Sequence, residues 1–394
     1  MAELRSQCRI LAALPLLPVR GRRVSRVLIA INAAWNVVNF RAGLVRALVA
    51  DGHEVIAAVP DDGALAAVEA LGARVVVVPM TSASTSIIGD LALLWRYVRL
   101  IRRERPDAYL GWTIKPNTYG ALAARLAGVP RINNVSGLGT VFIRETWVTR
   151  VAEALYRLGL GGAATVFFQN HDDRDEFVAR GLVAPECIEV LPGSGIDLAH
   201  YDPAPWPRAD DGTFRFLLVA RLIRDKGVHE FVEAARIVRA SHPHARFGLL
   251  GFLDVDNATA ISREELAGWV AESVVEYCGA VEDVRPFLGN ADCVVLPSYR
   301  EGLSRVLLEA GAMARPAIAT DVPGCRDVIV PGETGLLCAV RDSHSLATRM
   351  IDMLALPQER RAQMGRAAQA HIAEKYTENR VISAYRAALA RAID

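Results

Sequence analysis

The sequence predicts an α/β protein built from two doubly wound, Rossmann-like domains that face each other across a central cleft. Three observations carry this prediction. The chain has 394 residues, more than one ordinary core accommodates. Short apolar runs alternate with helical stretches, the order that produces parallel βαβ units. That alternation breaks once, at the proline-rich stretch HYDPAPWPRADDGT (200–213), and then starts again, as expected of a linker between two domains. A hydrophobic share of 52% is ample for two cores.

Folding signals begin at Val24. The apolar run VSRVLIAIN (24–32) is continuous rather than alternating, which predicts a strand covered on both faces. A polar-aromatic loop, AAWNVVNFR, follows, then a helix from about Ala42 to Ala50. Strands are expected at 51–60 and 73–80 around a helix at 63–71. The stretch at 90–107 is an amphipathic helix whose apolar face is expected to hold Leu91, Leu94, Trp95, Val98 and Ile101, with Arg96, Arg99, Arg102 and Arg103 opposite. A strand at 108–112, a helix at 117–127, a strand running into a glycine-bearing loop at 130–139, and strands at 164–170 and 188–195 complete the first half. In the second half, strands are expected at 215–222, 245–252, 274–280, 291–298, 316–321 and 334–340. Helices lie between them at 227–241, 262–270, 284–291 and 302–314, and more helices close the chain. Ligands in such sheets bind at the carboxyl ends of the strands, where the strand order reverses.

Charge and cysteine content exclude several functions. The net charge is +1, and five arginines against one glutamate in the first 23 residues hold much of the basic excess in a tail expected to be disordered. Nucleic-acid binding would need a basic stripe on the fold itself. The six cysteines have no CxxC spacing and no nearby histidine pair, so reduced thiols are expected rather than disulfides or metal ligands. The apolar stretch at 9–20 is too short to cross a bilayer.

The segment LPSYREGLSRVLLEAGAMARPAIATDVPGCRDVI (296–329) holds the strongest chemistry. A buried strand runs into a polar loop, and a helix is expected to start near Gly302 or Leu303. A helix N-terminus offers unpaired N–H groups and partial positive charge, which suit a diphosphate. Gly302 lets backbone approach closely. Glu301 at the helix mouth can meet a sugar hydroxyl or a developing positive centre, and Glu309, two turns deeper, can accept hydrogen bonds from a ribose diol.

The run EGLSRVLLEA (301–310) resembles the Glu-x7-Glu signature of family 4 retaining glycosyltransferases, which have the GT-B fold. The resemblance places Glu301 by the donor sugar and Glu309 on the nucleotide ribose, with Gly302, Leu303 and Ser304 between them. ARLIRDKGVHEFVEAA (220–235) is similar to the family's loop whose Arg and Lys hold the donor diphosphate, matching Arg221 and Lys226. Two fixed cations there would stabilise the charge gained by a leaving pyrophosphate. GLLGF (248–252) and YCGAVEDVRPFL (277–288) match the next strand loops, which brings Gly251, Val281 and Glu282 to the donor.

The first half narrows the resemblance. INAAWNVVNFRAGLVRAL (31–48), IKPNTYGALAARLAGVP (114–130), NVSGLGTVF (134–142), FFQNHDDRDEF (167–177) and LPGSGIDL (191–198) look similar to the subgroup that extends undecaprenyl-diphosphate-linked sugars. That subgroup includes the N,N'-diacetylbacillosaminyl-diphospho-undecaprenol N-acetylgalactosaminyltransferases and related capsule and exopolysaccharide enzymes. The resemblance implies a tail over 1–23, an acceptor-binding domain over 24–199, a linker over 200–213 and a nucleotide-sugar domain over 214–394, the last helix packing back on the first domain. It implies a nucleotide-sugar donor, UDP-linked by resemblance, a lipid-linked sugar acceptor, and peripheral work at the inner face of the plasma membrane. The chain departs from the family in two places. No Gly-Gly pair stands at 32–40, and no histidine follows the mid-domain strand, where Asn134, Ser136, Gly137 and Gly139 stand instead. Asn32, Lys115, Asn117, Ser136 and Gly137 are therefore the cleft candidates of the first domain. No Asp-x-Asp loop is present in a convincing place, so neither a metal nor another cofactor is expected. Two other readings remain open, a nucleotide-sugar epimerase of the same fold and a non-catalytic sugar-nucleotide-binding partner.

Overall fold

A computed structural model describes residues 24–80, 87–138, 147–206, 211–255 and 257–393. The expected tail over 1–23, Gly139 and linker residues 207–210 lie outside the described residues. Two parallel sheets are present. The first contains β1 (Arg26–Ala30), β2 (Glu54–Val59), β3 (Arg74–Val77), β4 (Ala108–Trp112), β5 (Arg131–Val135), β6 (Thr165–Phe168) and β7 (Ile188–Val190), ordered β3-β2-β1-β4-β5-β6-β7. The second contains β8 (Phe214–Val219), β9 (Ala245–Leu250), β10 (Glu276–Tyr277), β11 (Cys293–Leu296), β12 (Ala317–Thr320) and β13 (Gly335–Cys338), ordered β10-β9-β8-β11-β12-β13. Each sheet grows outward from its first strand, returns, and continues on the other side. The order reverses between β1 and β4 in one sheet and between β8 and β11 in the other, which opens a crevice at the strands' carboxyl ends.

Burial explains the continuous apolar runs. β4, β5, β6, β11 and β12 are buried along their whole length, while the edge strand β3 is partly exposed. One face of the first sheet packs Val27, Ile29, Val55 and Ala57 against Leu44, Val45 and Leu48. The other packs Leu28, Ala30 and Ile56 against Tyr97, Leu100 and Ile101.

The C-terminal helix Glu378–Ile393 packs on the first sheet. Val381, Tyr385 and Leu389 join its core, with the Tyr385 ring centroid 5.5 Å from Trp112 and 4.8 Å from Phe167. Arg386 forms an ion pair with Asp51 at 2.6 Å. The chain makes the crossing beside the outgoing one: Ile196 N–H donates to the Tyr376 carbonyl at 2.8 Å, and Glu378 N–H to the Ile196 carbonyl at 3.0 Å.

Several expectations need correction. The segment after β1 is not a loop but the helix Ala34–Phe40. Ala34 and Val37 are buried three residues apart, and Trp35 meets Phe40 edge to face, so the aromatic residues punctuate a helix. The amphipathic helix is Ile87–Glu104, and its buried face is Leu93, Tyr97, Leu100 and Ile101. Leu91 and Trp95, expected inside, are 60% and 56% exposed. The i, i+4, i+7, i+8 stripe that contains the tyrosine was the one to follow. The expected helix at 117–127 starts with a π-turn, Pro116–Gly120. The strand expected at 274–280 contracts to two residues. No helix among the described residues is long and apolar enough to cross a membrane.

Because Tyr385 is 1% exposed in the core of a sheet it does not belong to by sequence, Tyr385→Ala should destabilise that core by about 3–5 kcal/mol. Urea melts followed by near-ultraviolet circular dichroism would register this as a lower midpoint. An unchanged midpoint would mean the C-terminal helix adds nothing to the first sheet.

Candidate active site

Lys226 and Glu301 come together at the carboxyl ends of β8 and β11, 2.5 Å apart, with side chains 20% and 14% exposed. Lys226 closes the 3₁₀ turn Arg224–Lys226, and Gly227 follows at φ 73°. A Cβ on Gly227 would overlap the Pro297 carbonyl, so only glycine lets this turn seat on the end of β11. Tyr299 N–H donates to the Asp225 carbonyl at 2.9 Å and ties the two loops again.

The loop that carries Glu301 is held at both ends. Glu301 N–H donates to the Pro323 carbonyl at 3.3 Å and Ser304 N–H to the Gly324 carbonyl at 3.0 Å. Between them, the N–H groups of Gly302 and Leu303 make no hydrogen bond among the described residues. The helix does not start at Gly302 or Leu303, as expected, but at Arg305. Ser304 is its N-cap, in extended conformation, with its hydroxyl accepting the Leu307 N–H, and a capping serine by definition stands outside the helix. The two unspent N–H groups therefore belong to the approach loop, directly ahead of the helix N-terminus.

Glu309 is 7% exposed. Its Oε1 accepts from the Tyr201 hydroxyl at 2.8 Å and from Arg305 Nε at 3.0 Å. Arg305 in turn donates to the Gly195 carbonyl at 2.9 Å. Burial pushes the Tyr201 hydroxyl's pKa up, with the Glu309 carboxylate adding to the shift. The tyrosine thus stays a donor, and Glu309 is oriented before any ligand arrives.

Arg221 is exposed just beyond β8, and its guanidinium makes no hydrogen bond among the described residues. Gly251, just beyond β9 at φ 148°, fits against the Ala220 carbonyl, where a Cβ would clash. It also donates to the Gly279 carbonyl at 2.8 Å. That bond sets the loop carrying half-buried Val281 and exposed Glu282 beside it. The donor-side candidates thus occupy neighbouring strand ends.

The first-domain candidates divide. Ser136 and Gly137 meet the second domain: a Cβ on Gly302 would overlap the Ser136 carbonyl and lie 3.1 Å from the α-carbon of Gly137. Asn32 lies at the end of β1, where its Oδ1 accepts from Asn36 at 3.1 Å. Lys115 turns to Asp90, 2.9 Å away. Asn117 is fully buried, with Nδ2 donating to the Asn134 carbonyl at 2.7 Å and Oδ1 accepting from Asn133 at 2.9 Å. Asn117 is therefore corrected from a cleft-facing residue to an interior one. The strand β5 carries two asparagines through a core, and a buried amide needs partners.

Two family models match the chain, the glycosyl transferase 4-like domain over residues 37–193 and glycosyl transferases group 1 over 213–355. The chain is a family 4 glycosyltransferase of the GT-B fold. Among its relatives is the Campylobacter jejuni N,N'-diacetylbacillosaminyl-diphospho-undecaprenol alpha-1,3-N-acetylgalactosaminyltransferase, 28% identical over 90% of this chain and 95% of that protein. The Escherichia coli UDP-Gal:alpha-D-GlcNAc-diphosphoundecaprenol alpha-1,3-galactosyltransferase is 24% identical over 71% of this chain and 74% of its own. In fold, the chain is similar to a Rickettsia africae glycosyltransferase (TM-score 0.76, 16% identity, 95% of this chain and 100% of that one). It is also similar to Anabaena HepE, solved with UDP (TM-score 0.75, 18% identity, 93% and 99%).

Sequence reasoning missed several residues of this glycosyltransferase's cleft. Tyr201 lay in a stretch read as linker. Arg305 precedes Glu309 by four residues, a spacing that pairs side chains on one helix face, and that signal was available. Asn170, Asp173 and Arg300 gave none, because their contacts join residues more than 120 positions apart.

The tight fit at Gly302 yields a direct test. Gly302→Ala should displace the loop by enough to lower turnover about 100-fold, with far-ultraviolet circular dichroism nearly unchanged because Gly302 lies outside every helix and strand. Rates near those of the unsubstituted enzyme would show that the close approach to Ser136 is not required.

Proposed function

We propose that this enzyme moves a hexose or N-acetylhexosamine from a UDP-linked donor to a sugar carried on undecaprenyl diphosphate, with retention at the anomeric carbon. The observation that carries the reading is the Lys226 and Glu301 pair beside the unspent N–H groups of Gly302 and Leu303. Cation, backbone donors and helix N-terminus converge where a departing diphosphate would gain charge. Exposed Arg221 is free to add a second cation. Glu309, fixed by Tyr201 and Arg305, would take the ribose.

The reaction requires one exchange of bonds. The acceptor hydroxyl oxygen attacks the anomeric carbon on the face from which the phosphate leaves. The bond between that carbon and the phosphate oxygen breaks, the phosphate oxygen takes the hydroxyl proton, and UDP departs. Lys226 and the open N–H groups stabilise the leaving charge, Glu301 orients the sugar, and the surrounding loops exclude water. In this reading the second domain, from about residue 214, holds the donor, and the first holds the acceptor.

The full-length Campylobacter relative supports the lipid-linked acceptor, and so does one surface. On the helix Ile87–Glu104, Ile88, Leu91 and Trp95 are exposed beside exposed Arg96, Arg99, Arg102 and Arg103. Apolar side chains flanked by arginines suit the boundary of an anionic bilayer, which supports a reading of the enzyme as working at the inner face of the plasma membrane.

Glu301→Ala and Lys226→Ala should each lower turnover by about 100-fold or more, while UDP-sugar consumption by the unsubstituted enzyme should survive EDTA. Proton NMR of the product should show the donor's anomeric configuration; the opposite anomer would refute retention. In flotation assays the enzyme should rise with vesicles containing phosphatidylglycerol, and Leu91→Ser/Trp95→Ser should stay behind. Equal flotation of the double variant would remove this helix from the membrane contact.

A further inference from the structure

Both chain neighbours of Glu301 are gripped from the opposite domain. The grip comes from the N-terminus of the helix His171–Ala179, whose N-cap is Asn170. Asn170 Oδ1 accepts the Asp173 N–H at 2.7 Å, which fixes the amide so that Nδ2 points outward. That Nδ2 donates to Asp173 Oδ2 at 3.0 Å and to the Gly302 carbonyl at 2.5 Å. Asp173, with no exposed surface, accepts Arg300 Nη2 on its other oxygen at 2.5 Å. Next to it, Asp172 stands 4.0 Å from Arg326 of the second domain.

These contacts serve stability poorly. Arg300 Nε is buried without a hydrogen-bond partner among the described residues, and an unmet buried donor costs free energy. A buried carboxylate held by one guanidinium nitrogen and one amide nitrogen recovers only part of its lost hydration. What the contacts do achieve is geometric. Arg300 is held by its side chain and Gly302 by its carbonyl, so the backbone of Glu301 is fixed between two points on the first domain. Lys226 then meets Glu301 from the second.

We propose that Asp173 and Asn170 are positioning residues for glycosyl transfer: acting through Arg300 and Gly302, they set Glu301 for the reaction when the cleft is shut. The inference rests on the reading of Glu301 given above. Since the nucleotide would be bound by the second domain, losing the grip should impair the chemical step and spare nucleotide binding.

The test uses the full-length enzyme with Asp173→Asn, Arg300→Met, Arg300→Lys and Glu301→Ala. UDP binding is measured by calorimetry. Turnover is followed as UDP release from UDP-N-acetylgalactosamine supplied with a polyprenyl-diphosphate-linked sugar. Asp173→Asn and Arg300→Met should bind UDP with full stoichiometry and a Kd within about twofold of the unsubstituted enzyme, while kcat falls about tenfold or more. Arg300→Lys, which keeps the charge and most of the reach, should restore most of that loss. Should Asp173→Asn fail to fold, Arg300→Met on its surface loop still decides the matter. The proposal is overturned if both variants keep kcat within about twofold, or if kcat falls only in proportion to UDP stoichiometry, as a purely structural role would require. An inactive Glu301→Ala alongside normal Asp173→Asn and Arg300→Met overturns this inference alone. A normal Glu301→Ala overturns the reading beneath it as well.

Discussion

Where the loop after β5 meets the loop after β11, the Ser136 carbonyl lies against the α-carbon of Gly302 with no room for a side chain between them. Much of the cleft depends on that approach. It brings two strand ends from separate sheets to within backbone contact, which only glycine permits at this spacing. On one side it puts Asn170 in reach of the Gly302 carbonyl; on the other it leaves the Gly302 and Leu303 N–H groups without partners among the described residues. Gly324, at φ 75°, backs the same loop, where a Cβ would lie 2.6 Å from the carbonyl oxygens of Glu301 and Gly302. The loop is confined from two directions.

The electrostatics follow from this confinement. Lys226 and Glu301 neutralise each other, which lets both charges stay mostly buried. A diphosphate arriving at the open N–H groups would bring its own negative charge and compete for the ammonium group. In the proposed function, Lys226 would then shift from carboxylate to phosphate without losing a counter-ion, and Glu301 would become available to a sugar hydroxyl. Glu309 has no such freedom, because Tyr201 and Arg305 hold one of its oxygens. The two glutamates of one motif thus differ physically: the first has a partner it can exchange, the second a fixed orientation.

Much of the fold was legible because parallel strands covered on both faces must be continuous apolar runs, and these punctuate both halves of the chain. Lys226 and Glu301 were legible as site residues through the family motifs that their segments resemble, while their direct contact became visible only in the structure. What escaped depended on packing between distant segments. The exposed face of the helix Ile87–Glu104 was misjudged because leucine and tryptophan score as apolar wherever they point. The interior position of Asn117 was hidden because its partners, Asn133 and the Asn134 carbonyl, lie on β5, and nothing in the residue's neighbourhood distinguishes a buried amide from a loop amide. Residues 170, 173 and 300 escaped for the same reason on a larger scale.

Among the described residues, two of the contacts between the domains differ in character. At one, the chain crosses twice in register, Ile196 bonding to Tyr376 and Glu378 through backbone groups. At the other, Asn170 and Asp173 grip the Glu301 loop through side chains. Rotation about the first must break the second. Burial raises the pKa of the Asp173 carboxyl even against the pull of Arg300, so its ionised form sits in a costly environment when the cleft is shut. Opening would return that carboxylate and the buried Arg300 Nε to water, and the hydration regained offsets much of the lost ion pair. A latch built from an apolar patch would resist opening in proportion to its area. One built from an under-compensated buried charge closes with defined geometry yet releases at low cost, which suits an enzyme that must admit a donor and discharge a nucleotide in every cycle.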